Sequence, residues 1–292
     1  MGCGVKYIFT ILQGILQGIT EFLPVSSSGH LSVLRHFIGG GEEGLLITVV
    51  LHLGTLTAVF IAFRSIIIGM IKEFFLSVAD VFTGNFRWGK MNDNRRMMFM
   101  VIISTLILVP VYIFLKDYFI APEGDGDIIF EGCAFIFTAV LLFISDACVK
   151  GFKTGKDMKV KDALIVGLFQ CVALFPGVSR SGSTVTGGLL CGLTRQTAVA
   201  FSFILGIPAI LGGGLLELKN AIQTSADINY LQLLLGFAVS AAVGFFSIKL
   251  VKILVKKEKF KIFGVYTAIL GALCIVWGVL ENLDLGIIIL QR

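Results

Sequence analysis

The sequence predicts an all-α, polytopic membrane protein, and three observations lead to this prediction: a very apolar composition, six long apolar stretches and an internal repeat. The chain has 292 residues, of which 56% are hydrophobic and only 15% are charged. Soluble domains carry about 25% charged residues, so one aqueous core cannot hide this much apolar surface. The six cysteines are scattered without a C-x-x-C pair, which indicates small buried side chains rather than a disulfide framework or a metal site.

The six apolar stretches are each long enough to cross a bilayer, which takes about 20 helical residues. We expect transmembrane helices at 44–63, 97–115, 129–149, 197–217, 230–248 and 262–280. Between the first two, residues 66–83 are also apolar but contain Lys72, Glu73 and Asp80. This mixture predicts an amphipathic helix that lies at the cytoplasmic interface of the membrane.

Basic residues are concentrated in three connections between the apolar stretches, at 64–96, 150–161 and 249–261. Because lysine and arginine are retained on the cytoplasmic side, we expect these three segments in the cytoplasm. The net charge of +5 is then explained by membrane topology, and no nucleic-acid partner is expected.

The two halves of the chain resemble each other. When the sequence is shifted by 153 residues, "QGITEFLPVSSSG" at 17–29 aligns with "QCVALFPGVSRSG" at 170–182, with six identities in thirteen positions. The chain is therefore divided into a first repeat, residues 1–150, and a second repeat, residues 151–292. Each half contains one polar segment followed by three apolar stretches.

Three crossings in each half is an odd number, so the halves must enter the membrane from opposite sides, as in an inverted-topology repeat. The polar segments, at 5–40 and 162–192, are predicted to be re-entrant helix–turn–helix elements. Pro24, Pro176 and the nearby glycines break the helices where these turns are needed. Because irregular backbone at membrane depth is tolerated only around a protein cavity, the two turns should meet and form one site.

The residues at the two turns suit a phosphate group. Arg180 is costly inside a membrane and needs an anionic partner, and its guanidinium matches phosphate oxygens two at a time. Hydroxyls and free backbone N–H groups bind the same kind of anion. The expected substrate-binding residues are Gln17, Ser26, Ser28, Gly177, Ser179, Ser181, Gly182 and Thr184.

Three residues of the first turn point to a cation and to proton transfer. A carboxylate beside an anion site repels the ligand unless a metal lies between them or the acid handles a proton, so Glu21 is expected to do one of these. Gln17 lies one helical turn before Glu21, and the oxygens of both suit Mg²⁺ or Ca²⁺. His30 is a candidate proton donor or acceptor near neutral pH.

Each of these residues also has a purely structural interpretation. Glu21 and Arg180 can form a buried ion pair that holds the halves together. Ser26, Ser27 and Ser28 can cap helices or bond between them, and His30 can bond a backbone carbonyl. His52, within the first transmembrane stretch, either packs between helices or faces the cavity.

At these residues the chain resembles the undecaprenyl-pyrophosphate phosphatases, the bacitracin-resistance family of bacterial integral membrane proteins. "LQGITEFLPVSSSGHL" at 16–31 is similar to the first motif of the family, and "PGVSRSGST" at 176–184 is similar to the second. Gln17 stands where many members have glutamate, which removes a charge from the predicted metal site.

The resemblance implies hydrolysis of undecaprenyl pyrophosphate to undecaprenyl phosphate and phosphate, with a divalent cation as cofactor. It also implies a multi-pass protein of the bacterial cytoplasmic membrane whose active site faces the outer side. The isoprenoid tail of this polyprenyl pyrophosphate is expected to lie between the transmembrane helices, in a surrounding of membrane lipid.

In the mechanism that we expect, Arg180 and a cation near Glu21 neutralise the phosphoryl oxygens. Ser27 is the expected nucleophile, and Glu21 or His30 handles its proton. A water activated by Glu21 and the metal is the alternative nucleophile.

Transport is the main rival function. Inverted repeats with broken helices are also how secondary transporters are built, so the chain can instead carry a phosphorylated lipid or an anion across the membrane. The sequence leaves open whether the chain forms a homodimer.

Overall fold

The computed structural model describes residues 3–38, 44–120, 128–148, 150–224, 229–256 and 260–283. In these ranges the chain contains eleven α-helices and no β-strand, apart from an isolated bridge between Lys153 and Leu193. The all-α prediction is therefore confirmed. In chain order the helices are α1 (Cys3–Thr20), α2 (Ser27–Ile38), α3 (Gly44–Ala62), α4 (Arg64–Phe82), α5 (Asp93–Ile120), α6 (Ile129–Ala147), α7 (Val160–Val172), α8 (Arg180–Leu190), α9 (Arg195–Thr224), α10 (Tyr230–Lys256) and α11 (Lys261–Asn282).

Five of the described helices are long and apolar enough to cross a membrane: α5, α6, α9, α10 and α11. A sixth candidate is α3 together with α4, which are bent by 85° where they join at Phe63. The coarse prediction of a multi-pass membrane protein is confirmed, with five to six apolar spanning helices. The helices α5 and α9 extend beyond the predicted stretches at 97–115 and 197–217, because charged and polar residues continue the helix past its apolar part.

The helix α4 begins at the bend and has the two unlike faces of an amphipathic helix. Arg95 of α5 donates to Glu73 at 2.7 Å and to Asp80 at 2.6 Å, so one face of α4 is tied to the start of α5. Large apolar side chains of α4 are exposed, among them Phe75 at 66% and Phe82 at 87%. This helix covers the amphipathic segment that the sequence predicts at 66–83.

The long helices pack closely where glycines meet. The helix α6 packs along α11, and a Cβ atom on Gly132 would lie 2.9 Å from the carbonyl oxygen of Gly271. A Cβ atom on Gly271 would lie only 2.6 Å from the carbonyl oxygen of Gly132. Small residues allow such close approach of backbones in membrane proteins, where van der Waals packing drives helix association. Other extensive contacts join α3 to α10, α1 to α10, α5 to α7, and α3 to α9.

Two helix breaks lie inside this bundle. The first break is at residues 21–26, between α1 and α2, and the second break is at residues 173–179, between α7 and α8. The helices that follow them, α2 and α8, have 12 and 11 residues. Each is about 18 Å long or less, which is shorter than the ~30 Å hydrocarbon core of a bilayer. Residues 181–189 of α8 are all buried, so this short helix lies within the protein.

Candidate active site

The two breaks meet around a cavity of about 230 Å³. The backbone N–H of Gly177 in the second break donates to Ser28 Oγ at 3.3 Å. In the other direction, Ser181 Oγ donates to the carbonyl of Leu23 in the first break, also at 3.3 Å. The residues that line the cavity are Thr20, Glu21, Ser26, Ser27, Ser28, Val49, His52, Leu108, Gln170, Ala173, Leu174, Val178, Ser179, Arg180, Ser181, Ala209, Ile210, Gly213 and Gly214.

A buried ion pair joins the breaks across this cavity. Arg180 Nη2 donates to Glu21 Oε1, and the two side chains are only 17% and 5% exposed. Arg180 Nη1 also donates to the carbonyl of Ser202 in α9 at 3.4 Å. The guanidinium of Arg180 packs directly against Gly206, where a Cβ atom would overlap it. Buried charges are costly unless they are paired, so each partner makes the other tolerable inside an apolar bundle.

The second oxygen of Glu21 is surrounded by hydrogen-bond donors. Glu21 Oε2 accepts from Ser27 Oγ at 2.7 Å and from Gln17 Nε2 at 3.0 Å. His52 Nε2 lies 3.8 Å from the same oxygen. The shift of 153 residues aligns Ser27 with Arg180, so equivalent positions of the two halves converge on one carboxylate. Ser27 is thereby placed to pass a proton to Glu21.

The first break ends in a serine cap for α2. Ser26 Oγ accepts from the backbone N–H of Gly29 at 3.3 Å and shares a hydrogen bond of the same length with Ser28 Oγ. Ser26 has a φ angle of +70°, in the left-handed region that residues other than glycine rarely adopt. Backbone strain of this kind persists mostly at functional sites, where the surrounding structure enforces it.

The second break repeats this cap at the equivalent positions. Ser179 Oγ accepts from the backbone N–H of Gly182 at 3.0 Å and shares a hydrogen bond with Ser181 Oγ at 3.3 Å. The left-handed residue of this turn is Gly177, with a φ angle of +83°, which glycine adopts without strain. A Cβ atom on Gly177 would lie 2.8 Å from the side chain of Ala134. The structural interpretation as a cap therefore holds for Ser26, and Ser179 caps α8 in the same way; both serines also line the cavity.

Five of the predicted site residues lie behind the cavity wall: Gln17, His30, Gly177, Gly182 and Thr184. Gln17 supports Glu21, and the two glycines shape the second break. Thr184 Oγ1 donates to the carbonyl of Arg180 at 2.8 Å and shares a hydrogen bond with Ser202 Oγ at 2.6 Å. These five residues support the cavity wall from behind, and their direct binding of substrate stays a prediction.

His30 faces away from the cavity, toward α6 and α11. Its Nδ1 lies 2.7 Å from the carbonyl oxygen of Ser26, and its Nε2 lies 2.8 Å from the hydroxyl of Tyr266. Because a carbonyl can only accept, Nδ1 carries the proton of the neutral ring and Nε2 accepts from Tyr266. The ring also stacks on Tyr266 and meets Phe135 edge-on. His30 thus supports the strained backbone at Ser26, and its role in proton transfer stays a prediction.

Three polar residues of the cavity were not among the predicted site residues: Thr20, His52 and Gln170. Thr20 Oγ1 donates to the carbonyl of Leu16 at 2.7 Å, within its own helix. His52 Nδ1 donates to the carbonyl of Thr48 at 2.9 Å, which leaves Nε2 directed toward Glu21. Gln170 is 2% exposed, and among the described residues neither its Oε1 nor its Nε2 has a hydrogen-bond partner. A buried amide without protein partners is costly, so these two atoms are open to a ligand or a water in the cavity. The repeat contained a signal for Gln170, which aligns with Gln17.

The residues around Glu21 supply part of a ligand set for a hard cation. In the described part of the chain, Gln17 Oε1 is buried and has no hydrogen-bond partner, and Glu21 is the carboxylate beside it. The described residues contain no group of three His, Cys, Asp or Glu side chains that could hold a metal. Mg²⁺ is commonly bound by one or two carboxylates together with phosphates of the substrate. A hard cation at these oxygens would have to take its remaining ligands from elsewhere, such as the phosphates of a substrate.

The fold and the site together define a class of protein, an integral membrane protein with a carboxylate, a guanidinium and a serine around an internal cavity that suits phosphate. The family model described as "Bacitracin resistance protein BacA" matches residues 10–273, and the chain belongs to this family. The resemblance seen in the sequence motifs is therefore confirmed.

Known relatives cover almost the whole chain. It is 39% identical to an undecaprenyl-diphosphatase of Alkaliphilus metalliredigens, over 92% of this chain and 98% of that protein. It is 40% identical to an undecaprenyl-diphosphatase of Methanosphaera stadtmanae, over 92% and 97% of the two chains. The identity to an undecaprenyl-diphosphatase of Corynebacterium striatum is 36%, over 92% and 93%.

Proposed function

We propose that this chain hydrolyses undecaprenyl pyrophosphate to undecaprenyl phosphate and inorganic phosphate. The observation that carries the proposal is the arrangement of Arg180 and Ser27 on the two oxygens of Glu21, where the two breaks meet. Membership of the family and similarity to relatives named undecaprenyl-diphosphatase support the same reaction. The diphosphate of this substrate suits the polar cavity, and its isoprenoid tail suits the apolar helices around it.

Arg180 is proposed to bind the diphosphate. Its guanidinium borders the cavity and is held by Glu21 before any substrate arrives. The planar fork of a guanidinium has five N–H donors and binds two phosphate oxygens at once, so donors remain for the ligand beside the ion pair. Inside a low-dielectric protein this charge stabilisation is strong, and phosphoryl transfer depends mainly on it.

In the proposed mechanism Ser27 is the nucleophile and Glu21 is its base. The distance of 2.7 Å between Ser27 Oγ and Glu21 Oε2 supports this. Glu21 takes the hydroxyl proton while Oγ forms a bond to the terminal phosphorus, and the bond from that phosphorus to the bridging oxygen breaks. Undecaprenyl phosphate leaves with the electrons of that bond. Water then attacks the phosphorus of the phosphoserine, the bond from phosphorus to Oγ breaks, and Oγ takes its proton back from Glu21 as phosphate is released. If water attacks the substrate directly, Glu21 takes the proton of the water instead.

A divalent cation is proposed at the oxygens of Gln17 and Glu21. When bound, it would neutralise phosphate charge and so weaken the repulsion between the diphosphate and Glu21. Gln17 donates to Glu21 through Nε2, and its Oε1 is the atom that remains for the ion.

The two halves, 1–150 and 151–292, are proposed to form an inverted repeat in which α1–α2 and α7–α8 are re-entrant. Equivalent glycines support this relation. A Cβ atom on Gly14 of α1 would lie 3.2 Å from a backbone carbonyl of α10, and one on Gly167 of α7 would lie 2.9 Å from a backbone carbonyl of α5. Gly14 and Gly167 are 153 residues apart, and α5 and α10 occupy equivalent places in the two halves. Each first arm thus packs against the opposite half.

The site is proposed to open toward the outer side of the cytoplasmic membrane. Val49 and His52, which line the cavity, lie in the first half of α3, and Leu108 lies in the second half of α5. The basic segment 64–96 connects the opposite ends of these two helices. With that segment in the cytoplasm, the cavity falls in the outer half of the membrane.

The isoprenoid tail is proposed to leave the cavity along α9. Gly213 lines the cavity, and among the described residues no atom lies within 4 Å of the place where its Cβ atom would be. The same is true of Gly212, and Leu211 and Leu215 beside these glycines are 39% and 69% exposed. The cavity wall is therefore thin here and continues into an apolar surface.

Phosphate release from the purified protein tests the reaction. In detergent, we expect a malachite-green assay to detect phosphate released from undecaprenyl pyrophosphate, to lose the signal in EDTA and to regain it with Mg²⁺ or Ca²⁺. If no divalent cation supports phosphate release, the proposed reaction is wrong. Full activity in EDTA would instead contradict only the proposed requirement for a cation. Release in detergent needs no membrane sidedness, and transport needs sealed vesicles, so the assay also separates hydrolysis from transport. The homodimer stays a prediction.

A further inference from the structure

A second groove lies where the chain bends between α3 and α4. It is lined by residues 61–66 and by side chains of α10, and we call it the bend groove. Its volume is about 530 Å³, compared with about 230 Å³ for the active-site cavity. Val49 and His52 near the start of α3 line the active-site cavity, whereas the bend groove lies at the end of the same helix. The two sites are therefore separate.

Three cationic side chains line the bend groove. Lys252 Nζ lies 4.0 Å from the ring centroid of Phe63 and donates to the last backbone carbonyl of α3 at 3.3 Å. Lys249 Nζ lies 4.4 Å from the ring centroid of Phe245. Arg64, the third cation, is exposed at the start of α4. None of the three forms an ion pair with any carboxylate that the structure describes.

Two other cations in the described chain have counter-ions. Arg95 binds Glu73 and Asp80, and Lys153 binds Asp162 at 2.9 Å. A lysine that rests on an aromatic ring keeps its positive charge. Because its ammonium group has three N–H donors, such a lysine can still bind an anion. The bend groove thus concentrates positive charge without a counter-ion from the described protein.

Apolar side chains flank these charges on the outer surface of the bundle. Ile61, Phe246 and Ile253 are 53%, 66% and 53% exposed. A small soluble anion would use only the charges, whereas a lipid can place its phosphate at the lysines and its acyl chains along the apolar flanks. A zwitterionic lipid brings its own cation close to the lysines, so a headgroup with net negative charge fits this surface better.

We propose that the bend groove binds the headgroup phosphate of an anionic phospholipid from the cytoplasmic leaflet. The leaflet follows from the basic segments, because 64–96 begins at Arg64 and 249–261 begins at Lys249. Basic pockets between helices on the cytoplasmic side bind such headgroups in other membrane proteins. This inference does not depend on the reaction proposed for the active site.

Native mass spectrometry of the purified full chain in a neutral detergent tests the proposal. We expect one phosphatidylglycerol molecule to bind more tightly than phosphatidylcholine. Lys249→Gln combined with Lys252→Gln should weaken phosphatidylglycerol binding roughly 25-fold, since each basic residue near a headgroup contributes about fivefold. The matched control, Lys90→Gln combined with Lys161→Gln, removes the same charge from exposed residues outside the groove and should bind as the wild type does.

Equal binding of the two lipids, or equal weakening in the two double variants, would overturn the proposal, because general surface charge would then explain the binding. Displacement of phosphatidylglycerol by millimolar inorganic phosphate would also overturn it, since the site would then bind a free anion. If the Lys249 and Lys252 double variant does not fold, Arg64→Gln replaces it as the test. We expect this exposed substitution to weaken binding about fivefold, and unchanged affinity would contradict the proposal.

Discussion

The first break, between α1 and α2, and the second break, between α7 and α8, use the same serine cap, with bonds from the N–H groups of Gly29 and Gly182. Beyond the cap their side chains differ. The first break supplies the carboxylate of Glu21, whereas the aligned residue of the second break is Leu174. Arg180 directly follows the second break. The repeated part is therefore a backbone scaffold, and in the proposed mechanism the first half handles the proton while the second half holds the anion.

The two turns also reach a left-handed backbone in different ways. The second break uses Gly177, which adopts its φ angle of +83° freely. The first break instead places Ser26 at a φ angle of +70°, where the serine also caps α2 and bonds His30 through its carbonyl. Glycine at this position would relieve the strain but lose the cap. The strained residue thus lies in the first break, directly before Ser27.

Removal of the expected nucleophile from the first half should have the largest effect. Ser27→Ala deletes the hydroxyl that donates to Glu21, and we expect kcat to fall by roughly 10³-fold or more because nucleophile and base act as one unit. Ser77→Ala, which deletes a buried hydroxyl in α4, should leave kcat unchanged. A rapid quench with substrate labelled in its terminal phosphate should trap phosphoserine at position 27. Near-normal turnover of Ser27→Ala would assign the attack to water.

The contribution of the second half is tested by Arg180→Lys. This change keeps the positive charge but loses the two-pronged geometry, so we expect kcat to fall about 10²- to 10³-fold. The control is Arg195→Lys, because Arg195 rests on the ring of Phe260 outside the cavity, and its kcat should stay close to that of the wild type. If Arg180→Lys retains most of its turnover, a point charge is sufficient and the guanidinium is not the anion clamp.

A smaller effect is expected from Gln170, the counterpart of Gln17 in the second half. Gln170→Leu removes a buried amide that has no partner among the described residues, so we expect Tm to rise. We also expect KM to rise about tenfold, because the substrate loses a hydrogen bond. Gln232→Leu is the matched control: Gln232 is buried too but donates to Thr10 at 2.8 Å, so Tm should fall with KM unchanged. A lower Tm or an unchanged KM in Gln170→Leu would contradict a ligand-facing role.

The charged part of the site could be predicted from the sequence because charge is rare inside an apolar chain. Glu21 and Arg180 stand out for this reason, and the structure pairs them. The direction of a side chain could not be predicted, because it depends on contacts far apart in sequence. His30 belongs to the first motif, yet it bonds Tyr266, which is 236 residues further along the chain. For His52 the sequence left two interpretations open, packing between helices or lining the cavity. The rotation of α3 within the bundle decides between them, and His52 lines the cavity.

The fold shows the same division between local and long-range information. The basic segment that begins at Arg64 marked the end of the first apolar stretch, and α3 does end at Ala62, where the chain turns by 85°. The full lengths of α5 and α9 could not be predicted from hydropathy, because charged and polar residues continue both helices past their apolar parts. The close pairing of α6 with α11 also depends on the meeting of two distant glycines, Gly132 and Gly271.

A double-mutant cycle on Glu21 and Arg180 tests most directly whether residues of both halves act in one site. Glu21→Gln, Arg180→Gln and the combined variant are compared with the wild type by phosphate release at saturating substrate. Because the two residues should act as a unit, we expect kcat of the combined variant to lie within about threefold of the slower single variant. Losses of kcat that multiply in the combined variant would mean that Glu21 and Arg180 act independently, and the account of a shared site would be wrong.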